Sequence, residues 1–247
     1  MVKQRTALVT GGMGGLGTAI ARTLHDAGYT VLVTHTPDST RAEAWLAQQT
    51  AAGYSFFAYG VDITDDVMCE SMAEKIHADG YQVDILINNA GITRDGTFRK
   101  MSKLNWDAVL RTNLDSLYNV TRPLIDSMLE RGWGRIVNVS SINGTKGQFG
   151  QTNYSAAKAG VHGFTKALAQ EVARKGVTVN TVSPGYLATE MVTSVPENIL
   201  DQIVSGIPIG RLGKPDEIAG LIAFIVSDAG AFMTGSNVSM NGGQHMY

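Results

Sequence analysis

The sequence predicts an α/β fold: one doubly wound domain with a parallel sheet and helices on both faces. Three observations predict it. Short β-rich runs alternate with helical stretches along the chain, and that alternation calls for parallel strands joined by right-handed crossovers. The runs Ala7-Leu8-Val9 and Ile85-Leu86-Ile87 are continuously apolar, as strands covered on both faces must be. No linker, low-complexity tract or repeat interrupts the pattern, so residues 1–247 read as a single domain.

Each element has its own signal. Thr6–Thr10 is a short apolar run that ends in glycines, and Leu16–Ala27 follows as a helix closed by Gly28. Thr30–Thr34 is a second β-rich run. Thr40–Ala52 has helical spacing and stops at Gly53. Phe56–Tyr59 and Val83–Asn88 are strands separated by a helix over Asp65–Ala78. A long helix is predicted over Trp106–Arg131, where Pro123 requires a kink or a break. Arg135–Ser140 is a buried strand, Tyr154–Lys175 a helix ending at Gly176, and Val177–Val182 and Asn237–Met240 the last strands.

Composition excludes several classes. The chain has 247 residues, of which 44% are apolar and 17% charged, so it is globular rather than disordered. Its net charge is −2, which speaks against binding nucleic acid by bulk charge. Cys69 is the sole cysteine, so an intrachain disulfide and a cysteine-based metal cluster are both excluded. His25, His35, His77, His162 and His245 show no ligand spacing, and no metal is expected. The chain opens on Met1-Val2-Lys3-Gln4-Arg5 with no apolar leader before the first strand, and the apolar stretch Leu221 to Val226 is too short to span a bilayer. A cytoplasmic protein without membrane partners is expected.

Two constellations carry chemistry. After the first strand comes Thr10-Gly11-Gly12-Met13-Gly14-Gly15-Leu16-Gly17. Glycines between a strand and a helix let the backbone approach a pyrophosphate, and the helix start offers free N–H groups. The second strand ends Val33-Thr34-His35-Thr36, with no carboxylate before Asp38 and with Arg41 close behind. An acidic side chain there would bind a ribose 2′-hydroxyl and repel a 2′-phosphate, whereas Arg41 attracts one, which predicts NADP(H).

The second constellation is Tyr154 and Lys158, four residues apart and on one helical face. A nearby ammonium, helped by an oxidised nicotinamide, favours phenolate and is expected to pull the tyrosine's pKa down, fitting Tyr154 to hand a proton to a carbonyl oxygen. Ser141 stands at the C-terminal end of a strand, the edge where open α/β sheets bind ligands, and its hydroxyl can hold the carbonyl oxygen.

These pieces together resemble the short-chain dehydrogenase/reductases. The matching residues are Thr10-Gly11-x-x-x-Gly15-x-Gly17, Asn88-Asn89-Ala90-Gly91, Asn113, Ser141, Tyr154-x-x-x-Lys158 and Pro184-Gly185, in family order along nearly the whole chain. The resemblance implies a Rossmann-type domain with Tyr154 as acid/base, Lys158 on the nicotinamide ribose, Ser141 orienting the carbonyl and Asn113 holding a water in the proton path. It places Gly11, Met13, Gly14, Gly15, Leu16, Gly17, Asn89, Ala90 and Gly91 along the cofactor, Asp62 and Ile63 near the adenine, and Pro184 and Gly185 beside the nicotinamide.

Within that family, the segment Asn143-Gly144-Thr145-Lys146-Gly147-Gln148-Phe149-Gly150-Gln151-Thr152-Asn153-Tyr154 resembles the acetoacetyl-CoA reductases of polyhydroxybutyrate synthesis, as do Gly91–Asp95, Arg131–Arg135 and Asn241–Met246. That resemblance implies reduction of acetoacetyl-CoA to (R)-3-hydroxybutyryl-CoA, with Asp95, Gln148, Phe149, Gln151 and Tyr186 on the acyl-CoA. The cations Arg94, Arg99, Lys100, Lys103 and Lys146 could meet its phosphates. Alternatives are a 3-oxoacyl-acyl-carrier-protein reductase, an NAD-linked alcohol or sugar dehydrogenase, and a non-catalytic dinucleotide-binding module. The segment 187–212, with short amphipathic helices at Met191-Val192 and Ile199–Val204, is similar in position to the family's substrate lid. The family also implies a homotetramer, with the helices over Trp106–Arg131 and Tyr154–Lys175 at one interface and the C-terminal strand region at another.

Overall fold

The computed structural model describes residues 4–194 and 196–246. Its strands are β1 (Thr6–Val9), β2 (Thr30–His35), β3 (Phe56–Gly60), β4 (Val83–Asn88), β5 (Gly134–Val139), β6 (Val177–Pro184) and β7 (Asn237–Met240). They form one sheet in the order β3-β2-β1-β4-β5-β6-β7, and each pairing is parallel. The helices are α1 (Gly15–Asp26), α2 (Ala42–Ala51), α3 (Asp66–Ala78), α4 (Lys103–Leu110), α5 (Ser116–Arg131), α6 (Asn143–Lys146), α7 (Thr152–Val172), α8 (Glu190–Thr193), α9 (Glu197–Ser205) and α10 (Pro215–Val226).

Strand alternation assigns each apolar side chain to one of two cores. Ala7, Val9, Val33, Ile85, Ile87 and Val137 face α1 and α10, packing on Ile20, Leu24, Ile218 and Ile222. Leu8, Leu32, Leu86, Ile136 and Val179 face the other way, onto α3, α5 and α7 through Met72, Ile76, Leu124, Met128 and Val172. This double covering explains why the central strands carry no polar face. At the strand bottoms the buried Asp84 accepts the Thr6 N–H at 2.9 Å and pairs with Arg131 at 3.2 Å. One backbone N–H and one guanidinium thus compensate the buried carboxylate.

The expected strands and helices sit where the sequence places them, with three differences. The break foreseen at Pro123 does not occur there: α5 runs through Pro123, and the irregularity comes earlier, as a π-helical turn over Arg111–Asp115 between α4 and α5. The helix predicted over Trp106–Arg131 starts earlier, at Lys103 in α4, and the α10 helix and the short α6 are additional. The helix predicted over Tyr154–Lys175 begins at Thr152, ends at Val172 and passes through a 3₁₀ turn (Ala173–Lys175) to a left-handed Gly176. Two short helices do occur within 187–212, α8 and α9. Among the described residues no helix is long and apolar enough to cross a membrane.

Candidate active site

Because all strands are parallel, their C-terminal ends open onto one edge. The strand order reverses between β1 and β4, the switch point at which such sheets bind dinucleotides. The glycine turn leaves β1 there. Gly11 has φ +60°, and its carbonyl accepts the Gly14 N–H at 3.2 Å, closing the turn from which α1 starts. A Cβ on Gly12 would stand 2.6 Å from Val33, and one on Gly17 would run into the Gly11 carbonyl oxygen. Only glycine allows this approach of helix to strand. Met13 and Leu16 point into the core, so what they offer a ligand is backbone.

Thr10 ties this turn to the exit of β4. Its hydroxyl accepts the N–H groups of Asn89 (3.0 Å) and Ala90 (3.1 Å), while Asn89 Nδ2 donates to the carbonyls of Thr10 (2.9 Å) and Gly11 (3.3 Å). The predicted cofactor residues Gly11 to Gly17 and Asn89 to Gly91 are therefore adjacent. Arg41 is exposed after β2, at the start of α2. Asp62 follows β3 with its carboxylate engaged by Thr64 (2.9 and 2.8 Å), and the Ile63 carbonyl accepts from Asn119 of α5 at 3.0 Å. Pro184 ends β6 and Gly185 follows it, held by Ile142 N–H to the Pro184 carbonyl (3.0 Å) and Gly185 N–H to the Met240 carbonyl (3.1 Å).

The reactive side chains meet at the same edge, beside Gly91. Asn113 sits in the π-helical turn and is buried. Its Nδ2 donates to the carbonyls of Ile92 and Val109, both at 2.9 Å, so its Oδ1 is turned away from them; that oxygen is buried with no protein partner. A Cβ on Gly91 would lie 2.5 Å from Asn113 Oδ1 and 3.5 Å from Lys158 Nζ. Gly91, Asn113 and Lys158 thus converge. Ser140 donates to the Lys158 carbonyl (2.8 Å), and Gly144 packs so closely on α7 that a Cβ there would be 2.7 Å from the Lys158 carbonyl carbon. These two contacts fix α7, and with it Tyr154 and Lys158.

In the protein alone, burial outweighs the neighbouring ammonium. The Tyr154 phenol is not pulled down but pushed up to about 12: burial disfavours phenolate, the Ser141 hydroxyl beside it pulls the other way, and the Asp95 charge adds to the rise. Lys158 does not offset this. Its Nζ donates to the Val139 carbonyl at 2.9 Å and lies 5.6 Å from the centre of the Tyr154 ring. Burial also pulls Lys158 itself down to about 8.

Of the predicted substrate contacts, Asp95 and Gln151 are joined directly, Gln151 Nε2 to Asp95 Oδ2 at 2.9 Å. Gln148 accepts from Lys146 Nζ at 2.8 Å, Phe149 is 87% exposed, and Tyr186 lines a cavity of about 280 Å³ under Ile207 and Ile209. Two neighbours of the site were not singled out from sequence. Asn143 bonds both Ser141 and Gln151, and Gln244 accepts the Tyr186 N–H at 3.0 Å. Both fall in segments that carry the sequence resemblance, Asn143–Tyr154 and Asn241–Met246, but nothing in the sequence assigned either side chain a role.

A family model for short chain dehydrogenases matches residues 5–200. The chain belongs to the short-chain dehydrogenase family. It is therefore an oxidoreductase that works with a nicotinamide dinucleotide. Among its relatives are an acetoacetyl-CoA reductase of Cupriavidus necator, 57% identical over 243 residues (98% of this chain, 99% of the relative), and a nodulation protein G of Azospirillum brasilense, 54% identical over 242 residues (98% of each). A 3-oxoacyl-acyl-carrier-protein reductase of Aquifex aeolicus is 42% identical over 243 residues, 97% of this chain and 96% of that one. The residues present fit a dinucleotide: no side chain caps the start of α1, so its first N–H groups are open to an anion, and the buried Asn113 Oδ1, which has no protein partner, faces the same Gly91 position as the Lys158 ammonium.

Proposed function

We propose that this enzyme reduces acetoacetyl-CoA to (R)-3-hydroxybutyryl-CoA with NADPH. The observation that carries the reductase chemistry is the convergence of Ser141, Tyr154, Lys158 and Asn113 at the switch-point edge, next to the glycine turn. Full-length likeness to enzymes named acetoacetyl-CoA reductase supports the substrate.

When bound, the nicotinamide supplies the hydride to the ketone carbon. The chain's own groups manage the oxygen. The Ser141 hydroxyl donates to the carbonyl oxygen and holds it as charge develops there. Tyr154, which burial keeps protonated, gives its phenolic proton to that oxygen. Lys158 and Asn113 orient the ribose and a water from the Gly91 side of the site. Arg41, unopposed by a carboxylate at the end of β2, would take the 2′-phosphate and favour NADPH over NADH. Arg94, Arg99, Lys100 and Lys103 follow β4, Lys146 ends α6 after β5, and these cations would receive the CoA phosphates, with Asp95, Gln148, Phe149, Gln151 and Tyr186 along the acyl-pantetheine arm.

The same reading includes a cytoplasmic homotetramer. Tyr118 on α5 (60% exposed), Leu104 on α4 (77%) and Phe232 beside β7 (fully exposed) supply apolar surface at the two proposed interfaces. Steady-state kinetics at the reduced-nicotinamide absorbance band tests the whole. C4 and longer 3-oxoacyl groups are offered on CoA and on acyl carrier protein, with each nicotinamide. The expected outcome is fastest turnover of acetoacetyl-CoA with NADPH. Preference for the carrier-protein thioester would move the enzyme to fatty-acid synthesis, and no turnover of any 3-oxoacyl thioester would end the proposal.

A further inference from the structure

We infer that Asn143 is a positioning residue for the reduction: its backbone N–H directs the Ser141 hydroxyl, and its side chain, the part a substitution tests, holds Gln151 and through it the Asp95 carboxylate at the mouth of the site. The inference rests on the proposed role of Ser141. The backbone N–H of Asn143 donates to Ser141 Oγ at 3.1 Å. A hydroxyl that accepts on that side must send its own proton elsewhere, and the free direction is the one Tyr154 shares. Ser141 is thereby set as a donor toward the carbonyl oxygen.

The side chain extends the same control outward. Asn143 Nδ2 donates to Gln151 Oε1 (2.9 Å), and Gln151 Nε2 donates to Asp95 Oδ2 (2.9 Å). The polarity of this chain is fixed by its end. An ionised carboxylate only accepts, so Gln151 must present nitrogen to Asp95 and oxygen to Asn143, and Asn143 must present nitrogen in turn. Neither amide is free to flip. The cost is visible: Asn143 is 7% exposed, and its Oδ1 is buried without a partner. A backbone rung, Gly96 N–H to the Gly150 carbonyl at 2.8 Å, joins the same two loops.

The test is a double-mutant cycle on kcat/KM of the full-length enzyme with its best 3-oxoacyl-CoA. Asn143→Leu and Gln151→Leu should each lower kcat/KM about tenfold, with NADPH affinity within about twofold of wild type, and the double variant should lose no more than the worse single one. Additive losses, or single variants within about twofold of wild type, would overturn the inference. Gln151→Glu turns the donor facing Asp95 into an acceptor. It should also lower kcat/KM, and Asp95→Asn in the same chain should restore it, which loss of packing could not explain. A wild type inactive on every 3-oxoacyl thioester would sink the proposed function instead. In that event hydrogen exchange decides the positioning claim: the Gly96 amide should exchange about tenfold faster in Asn143→Leu, and unchanged exchange refutes it.

Discussion

At the residue scale, the site opposes two burials. Tyr154 is kept neutral and Lys158 is driven toward neutrality, each by loss of water. A protonated phenol is what a reductase needs as proton donor, so Tyr154→Phe should cut turnover about a thousandfold while NADPH titration stays unchanged. Retained turnover would show that the proton comes from elsewhere. Lys158 makes a separate prediction about stability. Its folded-state pKa of about 8 lies below the usual 10.5. Between those values the unfolded chain binds more protons than the folded one, so stability rises with pH across that window. The full cost of the buried ammonium is present below pH 8. Buried tyrosines contribute with the opposite sign at high pH, so the useful quantity is a difference. Lys158→Met should flatten the rise in urea midpoint between about pH 8 and 10 relative to wild type. Equal slopes would mean that Lys158 is not desolvated. At the cofactor's far end, Arg41→Ala should lower the NADPH-over-NADH ratio of kcat/KM by about tenfold or more; an unchanged ratio would remove Arg41 from the 2′-phosphate.

At the element scale, function depends on how closely two backbones approach. Gly144 lies on α6 against the Lys158 carbonyl of α7, with no room for a methyl group. Gly144→Ala must displace α7, so we expect a loss of about 1–3 kcal/mol in urea unfolding and a fall in kcat larger than any change in NADPH affinity. Equal stability and activity would mean that α6 simply moves aside. This contact marks the limit of what sequence conveys. The glycine turn, the Tyr154–Lys158 spacing and the apolar strands were legible because each is a local pattern with one physical solution. The packing of α6 on α7 is a contact between segments 14 residues apart (Gly144 to Lys158), and no local rule specifies it. The π-helical turn was hidden for a related reason. Pro123 is the loud signal in that stretch, yet a single missing N–H is absorbed within α5, while the break at Arg111–Asp115 serves to turn Asn113 toward Gly91. In the protein alone the tyrosine pKa runs high rather than low, because spacing on a helix gives proximity but not the burial that disfavours phenolate.

At the scale of the whole molecule, a sheet edge gathers the candidate site and a lightly packed excursion leaves that edge and returns to it. The chain leaves the edge after Tyr186 and returns at Gly213, and the two ends are stapled: Ala188 N–H donates to the Gly213 carbonyl (2.8 Å) and Gly213 N–H to the Tyr186 carbonyl (3.0 Å). Arg211 grips Glu217 at the start of α10 through both guanidinium nitrogens (2.8 and 2.7 Å), and Glu217 also accepts the Lys214 N–H at 2.7 Å. Between the staples, α9 has no buried residue, although Ile199, Leu200, Ile203 and Val204 line one side of it. Few buried contacts mean a low free energy of local opening, and an apolar stripe without a full partner gains by closing on an acyl chain. We therefore expect hydrogen exchange over 197–205 to slow about tenfold when NADPH and an acyl-CoA product are both bound, and less with NADPH alone. The stapled amides of Ala188 and Gly213 should be protected in every state, because they are the hinge rather than the flap. Exchange over 197–205 that ignores the ligands would reduce this segment to an ordinary helical excursion. Exchange that quickens at Ala188 and Gly213 would mean the neck opens with the flap.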